Sequence, residues 1–198
     1  DRLQPGEEAP AHQPQLLPGQ VKLKNINGDD KLNEEDMVLI GRNDPKFIFG
    51  FNNNFSYKNF DLNIYMYGQV GKIAGANSYY DAWGSYGNRI KLGQNVPVSF
   101  KDAWSSDNQT STRPSFIESA YGTGDLFLQK ISFLRIRNIT LGYTVPISKS
   151  ICNRLRVYAD INNPCVWTNW KGQDPETDSN TNAYPNVTSF SIGVDISF

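Results

Sequence analysis

Residues 25–36 carry the side-chain oxygens of a calcium loop in nearly the required spacing. The stretch reads Asn-Ile-Asn-Gly-Asp-Asp-Lys-Leu-Asn-Glu-Glu-Asp, with oxygen-bearing side chains at loop positions 1, 3, 5, 9 and 12. Calcium prefers a shell of about six to eight oxygen ligands, and calcium loops supply them from such positions. If the ion binds, the predicted ligands are Asn25, Asn27, Asp29 and Asp36.

Three departures from the calcium pattern leave a second interpretation of this loop open. Asn25 replaces the first aspartate, Asp30 replaces the glycine of the sharp turn, and Asp36 replaces the longer glutamate at the end. Each change weakens coordination of a hard cation. The alternative is an acidic turn that binds no metal and only orders its own backbone. A structural calcium is thus possible by pattern, and the sequence requires no cofactor.

Aromatic side chains in the two longest stretches without periodicity form a second set of candidates. Their flat rings can stack on sugar rings or contact a protein lid. Trp170, followed by Asp174 and Glu176, is the most suggestive group. The alternative is that the rings only pack the loops together, because Trp and Tyr dominate packing wherever they occur. The candidate ligand-binding residues are Tyr79, Tyr80, Trp83, Trp104, Trp167 and Trp170.

Catalysis has no support in the sequence. The single histidine, His12, lies in a proline-rich stretch, so a nucleophile has no histidine base and zinc has no histidine cluster. The formal net charge is -1, and no basic stripe is present that could follow a phosphate backbone. We therefore predict that the protein is not an enzyme and does not bind nucleic acid.

Five stretches alternate apolar and polar side chains with a period of two, which is the pattern of two-faced β-strands. In the last stretch Phe190, Ile192, Val194 and Ile196 share one face, and the chain ends on Phe198. Strands with one apolar face are typical of the wall of a transmembrane β-barrel. The predicted strands are residues 46–57, 60–70, 131–145, 154–162 and 187–198.

The connections between these strands alternate between short and long. Residues 58–59 and 146–153 are short, whereas residues 71–130 and 163–186 are long. Outer-membrane barrels have short periplasmic turns and long extracellular loops. The alternation therefore predicts that both long loops lie outside the cell.

Five strands cannot close a barrel, because bacterial single-chain barrels have an even number and begin at about eight. Open sheet edges in lipid would leave backbone groups without hydrogen bonds. We therefore expect an all-β protein in which these are the last five antiparallel strands of a larger barrel, most of which precedes Asp1. Residues 1–45 are predicted to be an irregular extracellular lead-in with the calcium-like loop, and residues 46–198 the barrel segment.

Side chains on the two predicted faces have different expected roles. Arg156 and Asp160 share the polar face and are predicted to belong to a charge network that faces the barrel interior. Outward aromatic residues are expected to form girdles at the two membrane interfaces. The periplasmic girdle would contain Tyr57, Phe60, Tyr143 and Phe198, and the outer girdle Phe47 and Phe133.

Residues 133–146, FLRIRNITLGYTVP, resemble the sequence YLRLKNITLGYTLP of SusC/RagA-like TonB-dependent outer-membrane transporters. Three further segments occur in the order that this family has them. The resemblance covers nearly everything after Pro18. The further segments are PGQVKLKNINGD at residues 18–29, DPKFIFGF at residues 44–51 and NWKGQDPE at residues 169–176.

The resemblance implies a barrel of about 22 strands filled by an N-terminal plug. It also implies a SusD-like surface lipoprotein as partner, energy delivered through the TonB complex, and outer-membrane lipid around the wall. The expected function is import of an oligosaccharide or a peptide across the outer membrane of a Gram-negative bacterium. The plug and the TonB-binding segment would lie in the missing N-terminal part.

The main alternative is a soluble, secreted β-sandwich that binds carbohydrate with the same loop aromatics. A sandwich would bury Phe190, Ile192, Val194 and Ile196 against a second sheet, whereas a barrel leaves them to lipid. A dockerin-like adhesion element is a weaker alternative, because only one imperfect calcium-like loop is present. The exposure of the last strand therefore discriminates between the two main interpretations.

Overall fold

The computed structural model describes residues 2–75, 92–95, 98–115, 125, 128–147, 152–177 and 183–198. The chain divides into two compact units, Asp1–Gly41 with Ala76–Leu128, and Arg42–Gly75 with Gln129–Phe198. Two short 3-10 helices, Glu34–Asp36 and Val98–Asp102, lie in the first unit. No helix in the described ranges is both long enough and apolar enough to cross a membrane.

The second unit is a five-stranded sheet in which the strands follow one another in chain order. The first two strands are joined by a tight turn at Lys58, which has a φ of 54°. The pairing confirms the prediction of an all-β segment with five antiparallel strands. The strands are β1 (Phe47–Tyr57), β2 (Phe60–Gly75), β3 (Leu128–Val145), β4 (Arg154–Thr168) and β5 (Ser189–Ser197).

The cross-strand register gives the sheet one polar and one apolar face. Thr140 of β3 lies opposite Asp160 of β4, which lies opposite Ser191 of β5. Directly opposed residues share a face, and successive residues alternate between faces. The neighbouring row therefore belongs to the other face, and it consists of Leu141, Ala159 and Ile192.

Three strands run further than the alternation predicts. β2 continues to Gly75, β3 begins at Leu128, and β4 continues to Thr168. Gly71 has a φ of 82° and interrupts the alternation of β2, while Asn163 has a φ of 50° at a register shift between β3 and β4. A bulge adds a residue to one strand, so the sequence loses its period of two although the ladder continues.

The same irregularity makes the prediction for Phe133 wrong. Phe133 is only 4% exposed, and its ring centroid lies 5.8 Å from that of Tyr67. Tyr67 alternates in step with Asp61 on the polar face of β2. Phe133 therefore faces the polar side of the sheet instead of forming an outer girdle, while Phe47 is 61% exposed.

Arg156 of β4 connects three strands across the polar face. Its Nε and Nη2 donate to the two carboxylate oxygens of Asp61 on β2, at 2.9 and 2.6 Å, and its Nη1 donates to Asp195 on β5 at 3.1 Å. Because β3 lies between β2 and β4, the guanidinium must pass over it. It passes at Gly142, where an added Cβ would collide with Arg156 and with Asp61.

Asp160 makes a separate set of contacts on the same face. Its Oδ1 accepts from Asn138 Nδ2 at 2.5 Å and from Thr140 Oγ1 at 2.6 Å, and its Oδ2 accepts from Asn162 Nδ2 at 2.8 Å. No ion pair joins it to Arg156 in the described structure. The charge network predicted for the two residues therefore has different members: Arg156 is balanced by Asp61 and Asp195, and Asp160 is held by neutral donors.

The first unit is irregular but has a small core of its own. Leu3 and Trp104 are 2% and 8% exposed. The N–H of Gly19 donates to Leu3 O, and the N–H of Ser115 donates to Gly19 O, both at 2.8 Å. The proline-rich lead-in thus folds onto residues 98–115 through backbone hydrogen bonds, although it contains neither a helix nor a strand before residue 34.

Gly142→Ala is predicted to lower the thermal stability of the whole purified protein in detergent. A Cβ at this position displaces Arg156 from Asp61, and the expected loss is about 1–3 kcal/mol, because Asp61 is 37% exposed and water screens the pair. Gly50→Ala is the matched control, since its nearest contact is an ordinary 3.5 Å. Equal melting temperatures for the two variants would contradict the conclusion that Gly142 leaves the space through which Arg156 reaches Asp61.

Candidate functional site

The loop that follows β4 is fastened to the beginning of β3. The side chain of Asn169 accepts from the N–H of Ser132 at 2.8 Å and donates to Lys130 O at 2.7 Å. The hydroxyl of Thr168 donates to Ser132 O at 3.0 Å, and the same hydroxyl accepts from the N–H of Trp170 at 3.0 Å. The N–H of Asn169 also donates to Ser132 O at 3.4 Å, so side chains and backbone together continue the pairing of β3 and β4 beyond Thr168.

Two arginines of β3 and two carboxylates of this loop form a cluster with Asn186, which we call the loop clamp. Arg135 Nη2 donates to Asp174 Oδ1 at 2.8 Å, and Arg137 Nη2 donates to Glu176 Oε2 at 2.9 Å. The backbone N–H of Asn186 donates to Asp174 Oδ2 at 2.9 Å, and its side-chain amide donates to Glu176 at 2.7 Å. The clamp holds both described ends of the loop against β3.

The central pair of the clamp is almost completely buried. The side chains of Arg135 and Asp174 are 3% and 4% exposed. Burial by itself raises the pKa of Asp174. Hydrogen bonds from the N–H groups of Glu176 and Asn186, together with the charge of Arg135, lower this pKa by more than burial raises it, so the net pKa lies below the ordinary value. The carboxylate is therefore ionised at neutral pH, and the clamp is closed.

Arg137 extends the clamp to β2. Its guanidinium lies 5.7 Å from the ring centroid of Tyr67, within the range of a cation–π interaction. Tyr67 also contacts the ring of Phe133. The loop, β3 and β2 thus meet in one cluster on the polar face, and this cluster fixes the position of the loop over the wall.

The clamp joins two of the segments by which the sequence resembles transporters. Arg135 and Arg137 belong to FLRIRNITLGYTVP, and Asp174 and Glu176 belong to NWKGQDPE. Sequence reasoning singled out Asp174 and Glu176 beside Trp170 but missed both arginines and Asn186. The available signal was the matched spacing, since two cations two positions apart can pair with two carboxylates two positions apart.

The candidate ligand-binding aromatics have different surroundings. Trp170 is 6% exposed and lies at the start of the clamped loop. Trp167 is 53% exposed and pairs with Leu134, whose neighbours Phe133 and Arg135 face the polar side. Trp167 therefore lies on the apolar face. The predicted Tyr79, Tyr80 and Trp83 lie outside the described residues.

Trp104 belongs to the first unit, where its indole covers Gly19. A Cβ at Gly19 would collide with the six-membered ring of Trp104, and Gly19 has a φ of 84°, which disfavours other residues. The backbone N–H of Trp104 donates to Arg113 O at 3.2 Å. In the described structure the Trp104 ring therefore packs in the core of the first unit.

The structure brings three of the four predicted calcium ligands together. The amide of Asn25 donates to Asp29 O, and the amide of Asn27 donates to Asp29 Oδ2 at 3.1 Å and to Glu35 Oε2 at 3.0 Å. The described residues contain no group of three or more His, Cys, Asp or Glu side chains arranged for a metal. The Oδ1 of Asn27 accepts from the N–H of Asp29 at 3.1 Å, so both the oxygen and the nitrogen of this amide form hydrogen bonds within the loop.

Asp36, the fourth predicted ligand, closes the loop from its other end. Its carboxylate accepts from the N–H of Ile26 at 2.7 Å and from the N–H of Asn33 at 3.0 Å. These backbone hydrogen bonds lower the pKa of Asp36 below its ordinary value. Asn33 in turn caps the short helix Glu34–Asp36. The loop is therefore closed by hydrogen bonds between its own side chains and backbone.

Asp174→Asn is predicted to open the clamped loop in the whole protein. Removing one charge from a buried pair costs about 3–5 kcal/mol, so amide exchange in residues 169–177 should accelerate by about a hundredfold or more. Asp107→Asn, at an exposed position, is the control. In the unmodified protein the lowered pKa of Asp174 predicts full protection above the ordinary aspartate pKa of about 4. Protection should then be lost progressively as the pH falls from there through the lowered pKa. Unchanged exchange in the Asp174 variant would contradict the clamp.

Curated proteins of one class resemble the chain over most of its length. TonB-dependent receptor P3 of Formosa agariphila is 28% identical over 201 residues, covering 91% of this chain and 19% of that protein. TonB-dependent receptor SusC of Bacteroides thetaiotaomicron is 26% identical over 180 residues, covering 87% and 17%. The chain thus spans about a fifth of the length of these relatives. No family model matches the chain.

Solved structures agree with the sequence comparison. The RagAB peptide transporter matches with a TM-score of 0.66 and 28% identity, covering 78% of this chain and 17% of that one. The RagAB peptide importer in the closed-closed state matches with a TM-score of 0.67 and 25% identity, covering 92% and 21%. The shared sequence and fold show a SusC/RagA-like segment that corresponds to the C-terminal part of a TonB-dependent transporter.

Proposed function

We propose that the chain is part of the wall of an outer-membrane importer and that its apolar face contacts lipid. The observation that carries this proposal is the exposure of that face on β5. Phe190, Ile192, Val194 and Ile196 are 74%, 83%, 55% and 54% exposed. No described element covers them, and a bilayer provides the apolar surroundings that water does not. TonB-dependent receptors of this kind are outer-membrane proteins of Gram-negative bacteria.

The exposure of the apolar face of β5 also argues against the alternative, a soluble β-sandwich. A sandwich packs the inner faces of two sheets against each other, whereas the described residues contain one sheet with an open apolar face. The exposed residues include aromatic side chains on β1 as well, where Phe51, Phe55 and Tyr57 are 54%, 57% and 71% exposed. A surface of this size on a soluble monomer would be an aggregation site.

We further propose that the five strands complete a plugged barrel of about 22 strands. β1 and β5 each have only one neighbour in the sheet, so both have a free edge for further strands. The short turns would lie on the periplasmic side and the long loops outside the cell, following the asymmetry of outer-membrane barrels. The clamped loop would then lie at the outer mouth of the barrel.

The proposed activity of the whole protein is TonB-dependent import of an oligosaccharide or a peptide. RagAB is a peptide transporter, which supports the peptide class, and SusC is a TonB-dependent receptor, which supports uptake driven through TonB. The oligosaccharide class rests on the resemblance of the sequence to SusC/RagA-like transporters. A SusD-like lipoprotein and the TonB complex are the proposed partners. No catalytic role is proposed, because the relatives are receptors and transporters and the described residues include no nucleophile paired with a histidine.

The polar face supports passage or contact of a hydrated substrate, and the arginines and carboxylates described above are ion-paired or hydrogen-bonded within the protein. Arg156 is paired with Asp61 and Asp195, and the clamp pairs its own arginines and carboxylates. Amide side chains occupy the face of β1 and β2, where Asn63 donates to two neighbouring asparagines at 2.7 and 2.6 Å. The candidate aromatics Trp104, Trp167 and Trp170 remain proposals as ligand contacts.

Ile192→Arg in the whole protein is predicted to reduce the amount of folded protein in the outer membrane. Arginine on a lipid-facing strand costs about 2–4 kcal/mol near the bilayer midplane. Ser191→Arg is the matched control, because it places the same side chain one residue away on the polar face. If Ser191→Arg is as harmful as Ile192→Arg, or if the protein is a detergent-free soluble monomer, the wall proposal fails.

Uptake of labelled oligosaccharides and uptake of labelled peptides are measured in two separate assays, and deletion of the whole gene is predicted to abolish one of them. Loss of TonB should abolish uptake of the same substrate class, because energy for import comes through that complex. Restoring the gene should restore uptake. Unchanged uptake of both substrate classes in the deletion strain would contradict the proposed activity.

We also propose that the calcium-like loop is ordered by its own hydrogen bonds and that calcium adds to this order without being required. The contacts of Asp29 and Asp36 with backbone N–H groups support this proposal. Limited proteolysis of residues 25–36 should proceed at similar rates in calcium and in chelator, within about twofold. Cleavage that is much faster in chelator would show that the ion, held by Asn25, Asn27, Asp29 and Asp36, is required.

A further inference from the structure

The polar face of β3 is covered at the end of the strand that carries the loop clamp. Ile131, Phe133 and Arg135 alternate along this part of the strand and are 0%, 4% and 3% exposed. The residues between them are only partly buried. Because alternate residues of a strand face opposite sides, the cover lies on one side of the sheet. At Arg135 the cover is the clamped loop itself, whose two carboxylates contact the guanidinium.

The clamped loop therefore lies on the polar face of the sheet. In the proposed barrel the apolar face contacts lipid, so the polar face is turned toward the interior. A loop that packs on this face lies inside the outer mouth of the barrel, where an imported molecule must pass. The loop thus borders the interior instead of extending away from the wall.

The middle of this loop is exposed between two buried anchors. Trp170 and Asp174 are 6% and 3% exposed, whereas Lys171 and Gln173 between them are exposed. The first anchor is hydrogen-bonded to the end of β4 and the second to β3. We call residues 171–173 the loop tip. Because the tip is held at both ends, it loses little conformational entropy when a ligand binds.

The loop tip carries a positive charge that the clamp does not balance. In the clamp each arginine has a carboxylate, at 2.8 Å for Arg135 and Asp174 and at 2.9 Å for Arg137 and Glu176. Lys171 is the remaining charged residue of the loop, and no hydrogen bond or ion pair joins it to any residue that the structure describes. An ammonium group binds carboxylates through charge-assisted hydrogen bonds. The tip therefore favours an anionic group over a neutral or cationic one.

We propose that the loop tip contacts the substrate as it enters and that Lys171 selects substrates that carry carboxylate groups. The inference rests on the proposed function and names a property of the substrate that the proposed function leaves open. Acidic peptides and oligosaccharides that contain uronic acids both carry carboxylates, so the chemistry of recognition is the same for both classes. Opposite charges at the rim of a binding surface act mainly by raising the association rate.

Lys171→Glu in the whole protein tests the proposal through uptake of matched substrates. Acidic and neutral labelled peptides of one length are compared in one assay, and oligouronates and neutral oligosaccharides in a second. In the class that the protein imports, uptake of the acidic member should fall about threefold to fivefold relative to the neutral member, as expected for loss of an exposed ion pair. Lys130→Glu is the matched control, because Lys130 is exposed and adjoins Ile131 on the opposite face of the sheet.

The outcomes of this uptake experiment separate the inference from the proposed function. An unchanged ratio of acidic to neutral uptake in Lys171→Glu would overturn the inference. A fall of the same size in Lys130→Glu would also overturn it, and so would an unmodified protein that imports only the neutral member of a pair. If the unmodified protein imports no member of either pair, the proposed function fails instead.

A labelling experiment locates the contact without depending on import. Lys171→Cys and Lys130→Cys are made with Cys152 and Cys165 replaced by Ser, in a strain without TonB, so that the substrate binds but is not imported. A membrane-impermeant maleimide is added to intact cells with or without the acidic peptide or oligouronate identified by uptake, at saturating concentration. We expect this substrate to slow labelling of Lys171→Cys and to leave labelling of Lys130→Cys unchanged. Equal labelling of Lys171→Cys with and without the substrate would overturn the contact.

Discussion

The whole sheet depends on one constraint, which is that a strand in lipid must pair its backbone and turn apolar side chains outward. The five strands meet this constraint by keeping their register over long stretches, so that Thr140, Asp160 and Ser191 stay in one row and Leu141, Ala159 and Ile192 in the next. A shift of one residue would exchange the faces of a strand. In the proposed wall, the register therefore keeps the apolar face toward lipid and the polar face toward water.

Charged groups are compatible with this constraint because they lie on the polar face and are paired there. Arg156 reaches two strands only because Gly142 leaves β3 without a side chain at the crossing. At the other end of the sheet, Arg135 is nearly buried and is balanced by Asp174 from the loop. The two clusters differ in purpose: the first ties strands together, and the second fixes a loop over them.

The sequence predicts those parts of the fold in which the period of two is uninterrupted. All five strands, their order along the chain and the apolar face of β5 could be predicted in this way. The extensions of β2 and β4 could not, because Gly71 and Asn163 break the period while pairing continues. Partners of Arg156 were also beyond prediction, since Asp61 is 95 positions away. Contacts of that range depend on the register of strands between them.

The most direct test of the account is a spin-label scan of residues 188–198 in the whole protein reconstituted in lipid. Collisions with oxygen, which dissolves in the bilayer, and with a polar nickel chelate, which stays in water, are measured at each position. The account predicts that oxygen accessibility rises and falls with a period of two, with maxima at Phe190, Ile192, Val194 and Ile196. High accessibility to the nickel chelate at these four positions, without alternation, would contradict a lipid-facing wall.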